Sequence, residues 1–471
     1  MSDYRKISSS FRDPNGYLFY KDQILYRQIN HPYKPHYHKL HESGLYETLV
    51  NKGWITPYSE ATIEPDNPEI AYLVIQPEQL PFISYPYEWC FSQLKDAALL
   101  TLKIQKTALK YGMTLKDSSA YNIQYHPATG KPVLIDTLSF ETYSEGNPWV
   151  AYRQFCQHFL GPLALMAHTD VRLNQLSKIY IDGPPLSLIS KLLPFKTKLN
   201  FGLLSHIHLH AKAQSRFAGT PQPGPRQAMS KNNLLALIDN LERTTQKLIW
   251  VPGGTEWGEY YQDTNYSREA HLHKHGLIKE FIDEISPDYV WDLGANTGLF
   301  SRIAQQLGAT TIAFDIDPGA VEKNYLQLKS EKENNLLPLL LDLTNPSPGL
   351  GWENQERDSL YDRPKPDLIM ALALIHHLAI TNNTPLEMVA SMFSNLAPWL
   401  IIEFVPKQDS QVQKLLATRE DIFNNYHQDG FEHAFQNYYE LIKIKEINHT
   451  LRRLYLFKRR DNPSSTTSNS L

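Results

Sequence analysis

The sequence has few cysteines, no long apolar run and no strong charge of either sign. Its 471 residues include two cysteines, Cys90 and Cys156, and neither belongs to a C-x-x-C pair, so neither a metal site nor a disulfide framework is predicted. No apolar run approaches the roughly 18 residues of a membrane-spanning helix, and the first residues lack the apolar core of a signal peptide. The net charge of −4 argues against nucleic acid or an anionic membrane as the main partner. These absences favour a cytoplasmic protein that has neither nucleic acid nor a membrane as its partner.

Length and composition predict two domains. A chain of 471 residues exceeds what one hydrophobic core usually serves. Residues 211–233 combine Pro, Gly, Ser and Gln with few large apolar side chains, which is typical of a linker; a long ordered loop is the alternative. We therefore predict an α+β domain over residues 1–210, a second domain over residues 234–460 and a disordered tail over residues 461–471.

From Asp288 onward, apolar strands alternate with helices. Strands are predicted in YVWDLG, TTIAFDID, LLPLLLDL, DLIMALAL and WLIIEFV, and runs of this kind indicate a parallel sheet covered on both faces. The final segments YELIKIKEI and RRLYLF, separated by Asn448, His449 and Thr450, predict a closing antiparallel hairpin. The predicted fold class is α/β, with a seven-stranded Rossmann-like sheet.

The turn after the first of these strands, in VWDLGANTGLFS, carries the clearest binding pattern. Asp292 ends the strand, and Gly294, Asn296 and Gly298 follow in the turn. Glycine lets the backbone approach a ligand closely, and the next helix offers free N–H groups. Because ligands of doubly wound sheets bind at the carboxyl ends of the strands, this turn is the predicted centre of a site.

Two further carboxylates follow the next two strands. Asp315 ends TTIAFDID, where a carboxylate can accept hydrogen bonds from both hydroxyls of a ribose. Asp342 follows LLPLLL, where it can accept from an exocyclic adenine amine. Taken singly, either residue could instead cap a helix or a turn.

Together these residues resemble the cofactor site of class I S-adenosylmethionine-dependent methyltransferases. The stretch from Asp292 to Gly298 is similar to their motif I, and Asp315 and Asp342 to their later acidic residues. The resemblance implies that S-adenosylmethionine is the cofactor and that Asp292 lies near its amino group. A nicotinamide-binding domain is the rival interpretation, but Asn296 replaces the middle glycine of its pattern, and Asp292 would repel a pyrophosphate.

Candidate acceptor-site residues follow the fourth and fifth strands. His376 and His377 stand where the methyltransferase fold faces its acceptor, and either could act as a general base for a hydroxyl group. A histidine satisfied inside the core is the alternative. Glu403, which ends WLIIEF, is predicted at the rim of the acceptor pocket. The acceptor is predicted to be a small molecule or a glycan-type hydroxyl, since DLIM lacks the N/D-P-P-Y/F of many amine and adenine methyltransferases.

Two phrases in this half, LALIHHLAI and IIEFVPKQD, also resemble those of the host-specific nodulation protein family. Upstream, the aromatic residues between Thr255 and Tyr266 are predicted to form a lid over the cofactor. The cluster of His271, His273, Lys274 and His275 lacks zinc-site spacing and is predicted to be a solvated helix face.

The N-terminal half resembles a degenerate kinase-like fold. A helix is predicted over residues 94–111, and Asp117 and Asn122 have the D-x-x-x-x-N spacing of a kinase catalytic loop. A hairpin then leads to Asp136, where kinase-like proteins carry a metal-binding aspartate. There is no glycine-rich loop or V-A-I-K strand, and Arg27 is the nearest basic residue. An unrelated α+β domain, in which Asp117 caps a turn, is the alternative.

The whole chain is therefore predicted to be a methyltransferase with an accessory N-terminal domain. Two alternatives remain open at this point: a non-catalytic binding or regulatory protein, and a bifunctional phosphotransferase-methyltransferase.

Overall fold

The chain folds into two compact units. The computed structural model describes residues 4–217, 228–253 and 267–461. As far as the structure describes them, residues 4–126, 131–251 and 348–359 form unit 1, and residues 127–130, 252–347 and 360–461 form unit 2.

Unit 1 contains an antiparallel sheet and two short ribbons. The described strands of the sheet run in the order β1-β2-β3-β5-β4, β6 pairs with β9, and β7 pairs with β8. Their bounds are β1 (Tyr4–Lys6), β2 (Gly16–Lys21), β3 (Ile24–Asn30), β4 (Tyr58–Ala61), β5 (Ala71–Pro77), β6 (Met113–Leu115), β7 (Ile123–His126), β8 (Lys131–Leu134) and β9 (Phe140–Thr142).

The longest described helix of unit 1 is α3, which packs against α10 and begins three residues before the predicted helix and ends at Lys110. Leu94, Ala97, Ala98 and Leu102 of α3 are fully buried. The described helices are α1 (Lys34–Glu42), α2 (Leu45–Asn51), α3 (Phe91–Lys110), α4 (Tyr152–Phe155), α5 (Gly161–His168), α6 (Leu176–Ile179), α7 (Leu186–Leu192), α8 (Phe201–Leu203), α9 (His210–Phe217) and α10 (Lys231–Lys247).

The boundary between the units differs from the predicted linker over residues 211–233. The first of these residues continue helix α9, and α10 packs against α3 within unit 1. Lys106 of α3 forms ion pairs with Asp239 (2.6 Å) and Glu242 (2.9 Å) of α10. Because these contacts join elements far apart in the sequence, composition alone gave no sign that unit 1 continues to Val251.

Unit 2 is an α/β domain, as predicted. Its described strands form one sheet in the order β12-β11-β10-β13-β14-β16-β15. The strands are β10 (Tyr289–Leu293), β11 (Thr310–Asp315), β12 (Leu336–Leu340), β13 (Leu368–Ala371), β14 (Trp399–Phe404), β15 (Tyr439–Glu446) and β16 (Arg453–Arg459). The helices are α11 (Arg268–Ile285), α12 (Ser301–Gln306), α13 (Pro318–Glu331), α14 (Leu386–Leu396), α15 (Ser410–Leu416) and α16 (Gln428–Gln436).

The order of the strands determines where a ligand can bind. Strand β10 pairs in parallel with β11 on one side and β13 on the other, so the sheet is built outward in both directions from β10. Strand β16 runs antiparallel to β14 and β15. In open sheets of this type, the crevice lies at the carboxyl ends of the strands where the order reverses, which here means the end of β10.

The core of unit 2 fills the space between the sheet and the helices. Ile278, Phe281, Val290, Leu368 and Ile401 are fully buried in one cluster. Burying side chains of this size stabilises the fold by roughly 1.5–3 kcal/mol each. Among the described residues, no helix is both long and apolar enough to cross a membrane.

Candidate cofactor and acceptor site

The motif I turn leaves β10 in a conformation that its sequence explains. Gly294, Asn296 and Gly298 all have positive φ, at 77°, 50° and 77°. Glycine adopts this left-handed region freely, and asparagine enters it more readily than most residues. A Cβ atom on Gly298 would lie 2.4 Å from the amide of Asn324 and 2.7 Å from the guanidinium of Arg302. The backbone of the turn is therefore fixed by close packing.

Asp292 is buried beneath this turn. Its carboxylate accepts a hydrogen bond of 2.6 Å from the hydroxyl of Ser301, the first residue of α12. Burial raises the pKa of Asp292 to about 7, although Ser301 and the nearby charge of Lys274 act in the opposite direction. The structure thus holds a carboxylate in a place where its negative charge is poorly stabilised without a ligand.

Asp315 joins the second strand to the same turn. Its carboxylate accepts the backbone N–H of Asn296 (2.7 Å) and the N–H of Asp317 (2.8 Å). Burial nevertheless raises the pKa of Asp315 to about 6. None of the ion pairs among the described residues includes Asp292 or Asp315. The structure therefore brings the two predicted carboxylates to one turn with no described cation paired to either.

Asp342 lies just beyond β12, beside the end of β11. The N–H of Leu341 donates to the carbonyl of Asp315 (2.9 Å), which sets the two strand ends side by side. The Asp342 side chain is half-buried and accepts from the N–H (2.8 Å) and hydroxyl (2.6 Å) of Thr344. This is the turn cap that the alternative interpretation expected. Contact with an adenine stays a prediction.

The histidine pair lies in a tight turn after β13. Residues 377–381 form a single π-helical turn, and Ala373 before it has a φ of 52°. The side chain of His376 is 2% exposed, and its Nδ1 has no hydrogen-bond partner in the described structure. The rings of His376 and His377 lie 4.1 Å apart. Burial lowers the pKa of His377 to about 4 and that of His376 well below its usual value, so both imidazoles are neutral at neutral pH.

Glu403 lies in the interior of unit 2 and not at the exposed rim of a pocket. It is fully buried, and its two oxygens pair with Lys274 (2.5 Å) and Arg452 (3.2 Å). Arg452 in turn pairs with Asp409 at 2.7 Å. A buried carboxylate with two cationic partners positions neighbouring elements. Contact between Glu403 and an acceptor stays a prediction.

Lys274 is the site residue that the sequence interpretation misplaced. It was predicted on a solvated helix face, but it is 3% exposed, and its ammonium group lies 4.4 Å from the centre of the Phe300 ring. The prediction was wrong because it weighed the polar neighbours only. Ala270, Ile278 and Phe281 are buried on the same helix, and a spacing of three and four residues places Lys274 on that face.

Two other predictions for the segment before β10 have different outcomes. The ring of His271 stacks on Phe300 at 5.9 Å, whereas His275 is exposed. The predicted aromatic lid between Thr255 and Tyr266 lies outside the described residues.

Unit 1 gathers its own polar cluster where the kinase-like pattern predicts one. Arg27 of β3 forms an ion pair with Asp136. Asp136 also accepts from the hydroxyl of Ser139 (2.6 Å), and Asn122 donates to that hydroxyl (3.3 Å). Burial alone would raise the pKa of Asp136, but Arg27 and Ser139 outweigh it and the pKa is lowered.

Asp117 lies beside this group. It accepts the N–H of Ser119 at 2.8 Å, which is the turn cap of the alternative interpretation. Burial raises its pKa, and the charge of Asp136 adds to the effect. The cap of the alternative interpretation is therefore present, and the kinase-like fold of unit 1 stays a prediction.

Comparisons with known proteins bear on both units. The chain is 34% identical over 466 residues to the nodulation protein NoeA of Rhizobium meliloti (strain 1021), covering 96% of each. The chain belongs to the NoeA family. A methyltransferase-domain family model matches residues 267–449, so the predicted resemblance of unit 2 to a methyltransferase domain is confirmed.

Solved structures of methyltransferases are also similar to part of the chain. The N-methyltransferase NodS of Bradyrhizobium japonicum WM9, in complex with S-adenosyl-L-homocysteine, is 9% identical with a TM-score of 0.32; the match covers 44% of this chain and 93% of NodS. Magnesium protoporphyrin IX methyltransferase (ChlM) of Synechocystis PCC 6803, with bound SAH, is 17% identical with a TM-score of 0.30; the match covers 43% of this chain and 93% of ChlM.

Proposed function

We propose that unit 2 binds S-adenosylmethionine and transfers its methyl group to a hydroxyl of a small molecule or glycan. The observation that carries this proposal is the pair Asp292 and Asp315, two buried carboxylates that meet one glycine-containing turn at the strand-order reversal. Their raised pKa values indicate that each lacks the cation that would stabilise its charge. A nucleoside that carries both a cationic group and a ribose fits this arrangement.

The residues present would hold the cofactor as follows. Asp315 would accept the ribose hydroxyls, Asp292 would face the amino group, and the turn from Gly294 to Gly298 would lie along the methionine moiety. When bound, S-adenosylmethionine supplies a methyl group that is already activated by a sulfonium. Asp342 would accept from the adenine amine. The chain's remaining task is to orient the acceptor and exclude water.

His376 is the proposed general base. Its ring is neutral at neutral pH, and its Nδ1 is buried without a described partner at the carboxyl edge of the sheet. A neutral imidazole can accept the proton of a hydroxyl group as that oxygen becomes bonded to carbon. His377, in ring contact with His376, would position it. Glu403 would act indirectly, because Lys274 and Arg452 already occupy its carboxylate.

Isothermal titration of the full chain with S-adenosylmethionine tests the cofactor assignment. We expect binding in the wild type and a strong loss in Asp315→Ala and in Gly294→Arg. Asp117→Ala in unit 1 is the matched control and should leave the affinity unchanged. Wild-type affinity in both unit 2 variants would overturn the assignment.

Transfer itself needs a second measurement. Full-length protein, labelled S-adenosylmethionine and a cell extract should yield label in a small-molecule or glycan fraction, and His376→Gln should abolish this while the cofactor affinity is retained. Cofactor binding without turnover on any extract would favour the non-catalytic alternative.

A second candidate function concerns unit 1. The cluster of Asp117, Asn122 and Asp136 beside Arg27 favours a nucleotide site, in which Asn122 and Asp136 would hold Mg²⁺ and Asp117 would serve as base. Mg-ATP should then raise the unfolding temperature of the wild type but not of Asp136→Ala. An absence of any effect of Mg-ATP on the wild type would remove the phosphotransferase alternative.

A further inference from the structure

One turn of unit 1 exposes an unusual combination of side chains. Between Lys191 in the last turn of α7 and Phe201 at the start of α8, a 3-10 helix spans Phe195–Leu199. Four large apolar side chains of this segment, hereafter the 191–201 turn, face solvent: Leu192 (38% exposed), Phe195 (75%), Leu199 (82%) and Phe201 (73%). Three exposed lysines alternate with them: Lys191, Lys196 and Lys198. Single exposed apolar residues are ordinary, but a contiguous set is typical of an interaction surface.

The backbone of the 191–201 turn is held firmly from within. Thr197 is 2% exposed; its hydroxyl donates to the carbonyl of Pro194 (2.7 Å) and lies 2.9 Å from Nε2 of His208. The hydroxyl of Ser190 lies 2.8 Å from Nδ1 of His208. Since Thr197 points inward, the residues on either side of it point outward. The exposure of the apolar side chains is therefore built into an anchored turn.

The charge around this turn differs from that of the whole chain. No Asp or Glu occurs between residues 183 and 238, although the chain as a whole has a net charge of −4. The exposed lysines of the turn thus have no acidic residue nearby in sequence, and Lys198 lies over the Phe195 ring at 5.1 Å. The net charge of −4 conceals this local positive region.

We infer that the 191–201 turn docks on a membrane surface that contains anionic lipids. Phenylalanine and leucine side chains insert at the boundary of headgroups and acyl chains, while lysines meet the lipid phosphates. A protein partner fits less well, because lysine is depleted in protein interfaces. A single-stranded nucleic acid would be bound by a groove with stacking aromatics, whereas two of the four exposed apolar residues here are leucines. The inferred contact is peripheral, because the turn presents side chains to the membrane surface.

Cosedimentation of the full-length protein with vesicles tests this inference. Vesicles of phosphatidylcholine with phosphatidylglycerol should bind the protein, and pure phosphatidylcholine should bind it far more weakly. The triple variant Lys191→Gln, Lys196→Gln, Lys198→Gln should bind about a hundredfold more weakly, since each lysine near an anionic surface contributes about fivefold. The double variant Phe195→Ser, Leu199→Ser should lose about tenfold or more from the buried apolar area.

Matched controls come from exposed positions elsewhere. Lys103→Gln, Lys279→Gln, Lys365→Gln changes the net charge equally, and Met388→Ser, Ile422→Ser removes comparable exposed apolar side chains. Both controls should bind vesicles like the wild type, and all variants should keep the wild-type affinity for S-adenosylmethionine. Three results would each overturn the inference: no wild-type binding to anionic vesicles, equal losses in the controls, or self-association in solution that the turn variants abolish.

Discussion

Asp136 in unit 1 and Asp292 in unit 2 are carboxylates that follow a strand and are largely removed from solvent, with Asp136 17% exposed and Asp292 1% exposed, yet their electrostatic environments are opposite. Asp136 pairs with Arg27, and its pKa is lowered. Asp292 has a hydroxyl donor in Ser301 and no described ion pair, and its pKa is raised to about 7. The fold supplies a cationic partner for the first carboxylate and a neutral hydroxyl donor for the second. This difference is the basis for proposing Asp292 as a contact of a cationic ligand.

The same contrast divides the carboxylates within unit 2. Glu403 pairs with Lys274 and Arg452, as Asp136 pairs with Arg27. Asp292 and Asp315 lie at neighbouring strand ends without such a pair among the described residues. Burial alone therefore does not mark a binding carboxylate. The informative combination is burial together with a missing cation.

The largest effect is expected when the countercharge in unit 1 is removed. Arg27→Met leaves the partly buried Asp136 without its cationic partner, and this should lower the free energy of unfolding by roughly 3 kcal/mol, the lower end of the cost of breaking a buried pair. Urea unfolding measures the loss. Arg172→Met, which removes a 79% exposed partner of Asp170, should cost much less, because solvent screens an exposed ion pair. If both variants cost the same, the Arg27–Asp136 pair does not stabilise the fold in the way that we argue.

Neutralising Asp292 should instead raise the stability of the protein in the absence of cofactor. Asp292→Asn removes a buried charge that the unliganded fold stabilises poorly, so the unliganded protein should unfold at a higher temperature at pH 8. Its affinity for S-adenosylmethionine should fall by roughly 1.5–3 kcal/mol, the contribution of a hydrogen bond to a charged group. Thermal unfolding measures the change in stability, and titration calorimetry measures the change in affinity. If Asp292→Asn is less stable than the wild type and binds S-adenosylmethionine equally well, the contrast between Asp292 and Asp136 is contradicted.

The pH dependence follows from the same two carboxylates. Their raised pKa values, about 7 for Asp292 and about 6 for Asp315, mean that both become ionised as pH rises through this range. The affinity for the cationic cofactor should therefore rise with pH, by up to about 1.4 kcal/mol per pH unit for each of the two groups below its own pKa, and level off above pH 7.

The stability of the unliganded protein should show the reverse trend. Because the folded pKa of each group exceeds the unfolded value, its stabilising contribution is present at low pH and is lost as pH rises through the folded pKa. The unfolding-temperature shift caused by S-adenosylmethionine should thus be larger at pH 8 than at pH 5.5. A shift that is equal at both pH values, or larger at pH 5.5, would be inconsistent with these protonation states.

Much of unit 2 could be predicted from the sequence because its signals are local. An apolar run that ends in Asp292, followed by Gly294 and Gly298, needs only neighbouring residues to specify a strand and a left-handed turn. The partners of Glu403 could not be found in this way. Lys274 comes from α11 and Arg452 from just before β16, so their meeting depends on the folded sheet. The division of the chain was missed for the same reason, since α10 belongs to unit 1 through contacts with the distant α3.

Substitution of Asp342 is expected to have the smallest effect on cofactor affinity. Its carboxylate caps the turn at Thr344 and is only half-buried, so one hydrogen bond to an adenine amine should contribute about 0.5–1.5 kcal/mol. Asp342→Ala should weaken the binding of S-adenosylmethionine by that amount in calorimetry. Thr344→Val removes the hydroxyl of the cap and keeps the carboxylate, so it should leave the affinity near that of the wild type. An equal loss in both variants would show that the cap alone matters and that Asp342 does not contact the cofactor.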